Sequence, residues 1–328
     1  MQEAGSQAAD KYGFEITSLT PFKDAYILNT PAGRKLLKKS LLSPERLLFV
    51  HGAKEHLFKN GFANTDRYLC TKDGLPYFEV GSDIYTLTDF IEGNECNFGD
   101  RGDIMLASRI LANLHKASRG YAPPQNCIPR DDLGKLPFFY QKRLEEIKKL
   151  TKVAKKGRSK FDYMFLDCVD YFYSEGEEAI SHFPDSRYGE LVKAARQERG
   201  FCHHDYTHHN IVVSGSGITV VNFDFCCFEL KAYDLANLLR RKMRKCNWDI
   251  NEAGIIINEY RSIESLSSDE FILMKLMLQF PHKFWRIINK YYNSKRSWSE
   301  RSFIIRLQEV IEESTYHRQF LSKFDSLA

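Results

Sequence analysis

Short apolar runs broken by turn-forming clusters fill the first third of the chain, whereas later apolar residues recur every three or four positions. Residues 15–19, 25–28 and 34–39 read as three short strands separated by Pro-Phe-Lys-Asp and Asn-Thr-Pro-Ala-Gly turns. Ser43-Pro44-Glu45 then opens a helix to about Lys59, since serine caps well, proline suits the first turn, and Asn60-Gly61 ends it. Residues 67–71 and 75–79 flank Lys72-Asp73-Gly74, whose Asp-Gly favours a hairpin turn, and residues 85–91 add another strand, for a sheet of about five. After Glu92-Gly93 the period changes. Ile104, Ala107, Leu111 and Leu114 place one stripe on a helix ending near His115, and residues 136–155 and 159–183 continue in the same manner. Ser267-Ser268-Asp269-Glu270 is a capping box for a helix through Leu278, and Ile304, Leu307 and Ile311 give the last helix its apolar face. The pattern predicts an α+β protein: an antiparallel sheet with one helix over residues 1–93, then a mostly helical part over residues 94–328.

One stretch of short strands, residues 200–226, interrupts the helices. Within it, Phe201-Cys202-His203-His204-Asp205-Tyr206-Thr207-His208-His209-Asn210-Ile211-Val212-Val213 sets an aspartate and an asparagine five residues apart in a loop leading into a strand. That spacing lets both side chains face one cleft. Phosphoryl transfer to a hydroxyl needs a carboxylate to orient the attacking group and accept its proton, and an oxygen ligand to hold magnesium on the phosphates. Asp205 and Asn210 have that chemistry. A Gly-Ser-Gly turn and a strand over residues 218–221 lead into Asn222-Phe223-Asp224, a hairpin that returns the chain to the same cleft. Asp224 is the carboxylate available there for a metal.

Composition narrows the partners. With 43% hydrophobic and 27% charged residues the chain can bury a sizeable core, and 328 residues favour two lobes around a cleft. Its 47 basic and 43 acidic residues leave a net charge of +4, too balanced to argue for nucleic acid. Eight cysteines without a C-x-x-C pair, Cys226 and Cys227 being adjacent, suit neither a zinc ribbon nor a disulfide framework and read as reduced thiols in a cytosol. The first ten residues are polar, and no window approaches the roughly 18 apolar residues of a membrane span, so cytoplasmic synthesis and no membrane are expected.

His203-x-Asp205-x-x-x-x-Asn210, the following strand, and Tyr233-Asp234-Leu235-Ala236 resemble the signature of the aminoglycoside-phosphotransferase, choline-kinase and homoserine-kinase superfamily. More narrowly, residues 203–210 with Phe223-Asp224-Phe225-Cys226 resemble the CotS-like spore coat proteins of endospore-forming bacteria. The signature covers about 35 residues, from Cys202 to Ala236, and the order of strands and helices agrees over most of the chain. The resemblance implies a two-lobed protein-kinase-like fold, with an N-lobe over residues 1–93 on the nucleotide side. The C-lobe, residues 94–328, would hold a catalytic loop at 201–213 and a metal-site hairpin at 218–226. It implies ATP and Mg2+ as cofactors, a small-molecule hydroxyl as acceptor, deposition in the spore coat, and other coat proteins as further partners.

Carried over by position, Asp205 resembles the catalytic base, His203 the residue bracing its loop, and Asn210 a magnesium ligand. Asp234 resembles the buried acid that holds the loop. Lys38 on the third strand is implied to reach the phosphates and Glu55 to pair with it, with Lys35 or Lys39 and Glu45 as alternatives. The connector Leu87-Thr88-Asp89-Phe90-Ile91-Glu92-Gly93 resembles the hinge that holds adenine, through Asp89, Phe90 and Ile91. Two features depart from the family pattern. Val221-Asn222-Phe223 stands where Ile-Asp-Phe is usual, so an amide offers an oxygen without a charge. Asp224, expected on the same strand face, is the replacement carboxylate, so the metal set is Asn210, Asn222 and Asp224. Pro21-Phe22-Lys23-Asp24 stands in place of a Gly-rich loop, and no backbone cradle is expected there. The first reading is an ATP- and magnesium-dependent phosphotransferase. The second, resting on Asn222, is a catalytically impaired scaffolding protein of the coat. No Asp-Phe-Gly or Ala-Pro-Glu bounds an activation segment, which speaks against a protein kinase.

Other conspicuous clusters have plainer readings. His204 and His208 are four apart, a ligand spacing only on a helix, and here they sit in a loop, so His204, His208 and His209 serve loop structure or substrate contact. The basic stretch at 142–160 reads as a solvated helix face, and Phe280-Pro281-His282-Lys283-Phe284-Trp285 as core packing.

Overall fold

The alternation in the first strands builds a five-stranded antiparallel sheet in a computed structural model that describes residues 2–215, 217–294 and 299–328. Strands β1 (Ser18–Phe22), β2 (Ala25–Thr30), β3 (Gly33–Ser40), β4 (Phe78–Val80) and β5 (Asp83–Asp89) pair in the order β1-β2-β3-β5-β4. Lys23 and Asp24 alone join β1 to β2, with Phe22 opposite Ala25 and Lys23 at φ 52°. This two-residue turn occupies the place of the missing Gly-rich loop.

Period-two geometry settles which face each β3 residue takes. Leu37 is buried with Leu28, Leu87, Phe78 and Tyr85, and Ala4 and Ala8 of helix α1 (Gln2–Tyr12) pack into the same cluster. Leu36, Lys38 and Ser40 take the opposite face with Thr86 and Thr88 of β5, lining a cavity. Lys35 contacts Asp89, and Lys39 pairs with Asp83 at 2.7 Å. Of the three candidate lysines, the sheet turns Lys38 inward.

Helix α2 (Pro44–Lys59) begins as the sequence predicts: the Ser43 side chain accepts from the Arg46 N–H, and Pro44 fills the first position. Its buried stripe is Leu47, Val50, Lys54 and Leu57. The hairpin expected at 67–79 forms differently. Thr71 donates to the Leu75 carbonyl at 2.8 Å, so the Asp-Gly turn is there, but it closes a local loop. Pro76 brings no N–H for a ladder, and Tyr68 makes only an isolated bridge to Thr88. The extra edge strand is β4, which turns through Gly81-Ser82 into β5.

A second sheet joins β6 (Asn94–Glu95), β7 (Ile211–Ser214) and β8 (Gly217–Val220). Ser216, of the expected Gly-Ser-Gly turn, lies outside the described residues. Gly93 leads into β6 at φ 154°, where a Cβ would stand 2.4 Å from the Val213 carbonyl oxygen, so only glycine admits the approach. Helix α3 (Arg101–Ser118) follows, its stripe Ile104, Ala107, Leu111 and Leu114 fully buried.

These elements belong to one of two compact units, residues 1–131 with 198–229. The loop at 201–213 and the hairpin after it group with the sheet in this unit, as Asn64, Asp66 and β6 bond directly to them. The other unit, residues 132–197 with 230–328, is helical. Helices α4 (Leu136–Ala154), α5 (Lys160–Ser181) and α6 (Tyr188–Glu198) are followed by α7 (Lys231–Met243), α8 (Ile250–Arg261), α9 (Ser268–Gln279), α10 (His282–Asn293) and α11 (Glu300–Lys323). Ser267 and Glu270 form the expected capping box of α9. Phe280 stacks on Tyr140 with centroids 3.8 Å apart and Phe284 on Phe172 at 4.3 Å, the core role expected of that aromatic run. Lys149, Lys152, Lys155 and Lys156 are exposed. Among the described residues no helix is long and apolar enough to cross a membrane.

Candidate active site

The loop carrying Asp205 is anchored at both ends. Cys202 exchanges backbone hydrogen bonds with Cys227, at 2.9 and 3.1 Å. His203, fully buried, accepts the Asp205 backbone N–H at Nδ1 (3.2 Å), which leaves its proton on Nε2, 3.1 Å from the Val221 carbonyl oxygen. One imidazole thus ties the loop to the strand that precedes Asn222. A short 3-10 turn over His208–Asn210 then aims the Asn210 side chain back: its Nδ2 donates to the Asp205 carbonyl (2.9 Å) and to the Asp205 carboxylate (3.0 Å).

Strand β8 ends before Asn222, which adopts the left-handed region at φ 64° and ψ 63°. Asparagine tolerates that conformation better than most residues. Asn222 and Asp224 therefore do not share a strand face, contrary to the expectation from the sequence. The turn nevertheless brings both to the same lysine. Lys38 Nζ lies 3.0 Å from Asn222 Oδ1 and 3.4 Å from Asp224 Oδ2. Asn222 Nδ2 donates to Asn210 Oδ1 at 3.3 Å, completing a hydrogen-bonded line from Lys38 through Asn222 and Asn210 to Asp205.

A cavity of about 620 Å³ opens beside this line. Ala25 and Leu36 on the five-stranded sheet, with Val212 on the second and Val221 just after it, give it apolar walls, whereas Lys38, Asp66, Asn210, Asn222 and Asp224 make one end polar. Asp89, Phe90 and Ile91 line it too; Phe90 packs edge-on against Phe22 at 5.3 Å, and its N–H is taken by the Arg34 carbonyl. Asp205 stands one hydrogen bond behind this wall, through Asn210.

The pair expected between Lys38 and Glu55 does not form. Glu55 binds Arg67 through both oxygens, at 2.8 and 2.6 Å, and that guanidinium holds its carboxyl below the ordinary range. Its neighbour Lys54 is the residue of α2 that turns inward, fully buried and 2.9 Å from Asp66 Oδ1. Sequence reading passed over both. The signal was present in Lys54, a charged residue four after Val50 and three before Leu57 on an apolar stripe. Asp234 is fully buried on α7. His208 packs near Phe98 at 5.7 Å, and His209 contacts the Glu95 carboxylate, which also takes Lys23 Nζ at 2.6 Å. Lys23 and then His209 hold the Glu95 carboxyl below its usual value. All eight cysteines are free thiols.

Over residues 9–324 the chain matches the family described as spore coat putative kinase YutH. It is 27% identical over 303 residues to spore coat protein S of Bacillus subtilis (strain 168), covering 92% of this chain and 86% of that protein. Among solved structures it is similar to an aminoglycoside phosphotransferase from Alicyclobacillus acidocaldarius, with a TM-score of 0.86 and 22% identity over 98% of this chain and 95% of that one. A spectinomycin phosphotransferase in complex with ADP and spectinomycin gives a TM-score of 0.62 at 13% identity, over 97% of this chain and 98% of that one. The sheet and the helical remainder are thus those of the kinase-like phosphotransferase fold.

Proposed function

We propose, from the premise that this chain belongs to the spore coat putative kinase YutH family, that it is a kinase-like protein of the spore coat. In this reading it binds ATP in the 620 Å³ cavity and transfers a phosphoryl group to a hydroxyl of a small molecule. The observation that carries it is Lys38, 3.0 and 3.4 Å from two side chains of the 222–224 turn at the polar end of an apolar-walled cavity. A base suits the apolar walls, and phosphates suit the ammonium. The oxygens of Asn210, Asn222 and Asp224 form a hard donor set that suits magnesium, which when bound neutralises charge on the phosphates. Asp205 takes the proton of the attacking hydroxyl, Asn210 orients that carboxylate, and His203 fixes its loop to the metal-side strand. Deposition in the coat is inferred from the family and from spore coat protein S.

Asn222 supports a second reading, a catalytically impaired scaffold. Its amide bonds Lys38 with one end and Asn210 with the other, so the polar end is satisfied internally. Calorimetry of ATP binding with and without magnesium, on the wild type and on Asn222→Asp, together with phosphate transfer assays, separates the two. Magnesium-dependent binding and turnover in the wild type uphold the enzyme. Binding and turnover gained only by Asn222→Asp select the scaffold derived from an enzyme.

A further inference from the structure

Lysine is rarely buried, and Lys54 on α2 has no exposure at all. Its ammonium lies 2.9 Å from Asp66 Oδ1, donates to the Asp66 carbonyl oxygen at 2.8 Å, and sits 3.8 Å from the centroid of the Tyr68 ring. Asp66 spends its other carboxylate oxygen on the backbone N–H of Asn222, at 3.2 Å. That N–H belongs to the left-handed residue that sends Asn222 and Asp224 toward Lys38. Phe223, between them, is fully buried with its ring 5.6 Å from the Lys54 ammonium. A continuous line therefore runs from α2 through Lys54 and Asp66 to the turn. The acid beside it on α2, Glu55, points to Arg67 and takes no part.

We propose that Lys54 is the positioning residue of the phosphate end of the cavity, acting through Asp66. It does two things there. It holds the carboxylate that fixes the Asn222 turn, and it cancels the charge of a carboxylate that lines the cavity wall. With Asp66 neutralised, Asp224 is left as the carboxylate that meets Lys38 and the ligand's counter-ion. Without the ammonium, Asp66 presents an uncompensated negative charge to incoming phosphates and loses the partner that orients it. The helix is thereby coupled to the turn after β8, not to the lysine of β3, and the sign of the coupling pair is reversed: the base is on the helix and the acid on the loop.

The phosphate part of this inference rests on the nucleotide reading of the cavity; the mechanical part does not, and the experiment keeps them apart. Lys54→Met is compared with the wild type in two measurements: exchange of the Asn222 amide hydrogen by NMR, and the ratio of ATP to adenosine affinity by calorimetry. The expected result is Asn222 exchange at least about tenfold faster, with ATP binding weakened about tenfold and adenosine binding changed less than about twofold. Adding Asp66→Asn to Lys54→Met removes the exposed charge and returns ATP affinity to within about threefold of the wild type. An unchanged exchange rate, or ATP and adenosine weakened alike, overturns the proposal and leaves Lys54 a packing residue. If Lys54→Met does not fold, Lys54→Gln, which keeps a donor for the Asp66 carbonyl but no charge, is measured against the same criteria. If the wild type binds neither ATP nor adenosine, the nucleotide reading fails, and the Asn222 exchange rate alone upholds or overturns Lys54 as the anchor of the turn.

Discussion

Glu55 is held by Arg67 in a two-point contact, guanidinium Nε and NH2 each facing one carboxylate oxygen at 2.8 and 2.6 Å. An acid so engaged, 12 residues from its partner in sequence, steadies the end of α2 against the segment that follows it. Glu55→Gln is therefore expected to leave ATP affinity within about twofold of wild type, while lowering stability by under about 1 kcal/mol because the pair is partly solvated. The hydrogen bond from Arg67 depresses the folded-state pKa of Glu55. Its contribution is accordingly present above the ordinary glutamate value and lost as pH falls through the depressed one. Calorimetry and urea denaturation at pH 7 and pH 3 check both statements.

Asp205→Ala removes the proposed proton acceptor but spares the Asp205 carbonyl that receives Asn210 Nδ2 at 2.9 Å. Turnover is expected to drop by about 10²–10⁴-fold with the circular dichroism spectrum unchanged. An unaffected rate of phosphate transfer takes Asp205 out of the mechanism.

Gly93→Ala forces a Cβ to within 2.4 Å of a backbone oxygen of β7 at a φ that L-residues avoid. Pairing of β6 with β7 must then give way. A loss of about 2–4 kcal/mol is expected from the clash and the strained backbone together, read as a lower urea midpoint.

His317 on α11 is turned inward, Nε2 3.0 Å from the Leu278 carbonyl oxygen, and burial pushes its pKa down to about 4, with nearby Arg240 lowering it and Glu313 raising it. A base with a depressed folded pKa favours folding above its unfolded value, near 6.5, and opposes it as pH falls toward 4. Stability is expected to decline over that window by roughly 2–3 kcal/mol. His317→Gln, which keeps a donor for Leu278 but does not titrate, should flatten the slope of urea midpoint against pH between 7 and 4.5.

Local chemistry made much of this fold legible. Ser43-Pro44 and Ser267 to Glu270 announce helix starts through caps that involve a few adjacent residues, and both are found where the sequence puts them. The loop from His203 to Asn210 was equally readable, because its hydrogen bonds close within a few residues of each other. What escaped was settled by partners distant in sequence. Helix α1 is polar along most of its length and is fixed by two alanines, Ala4 and Ala8, against a sheet that forms later in the chain. Residues 67–71 have the composition of a strand, but Pro76 denies them a ladder. Glu55 and Lys54 are adjacent, and only the packing of α2 decides which faces inward. The inward choice among Lys35, Lys38 and Lys39 likewise waited on the register of β3 with β5, in which Lys38 lies opposite Thr86.

Lys23, in the tight turn of the first hairpin, reaches Glu95 on β6, so one exposed ion pair spans the two sheets whose faces wall the cavity. With side chains 59% and 37% accessible, such a bridge is worth no more than about 1 kcal/mol, comparable to thermal energy. Breaking that one contact therefore costs little, and added salt weakens it further, while the bonds from Asn64, Asp66 and Lys38 to the hairpin still hold the two sheets together.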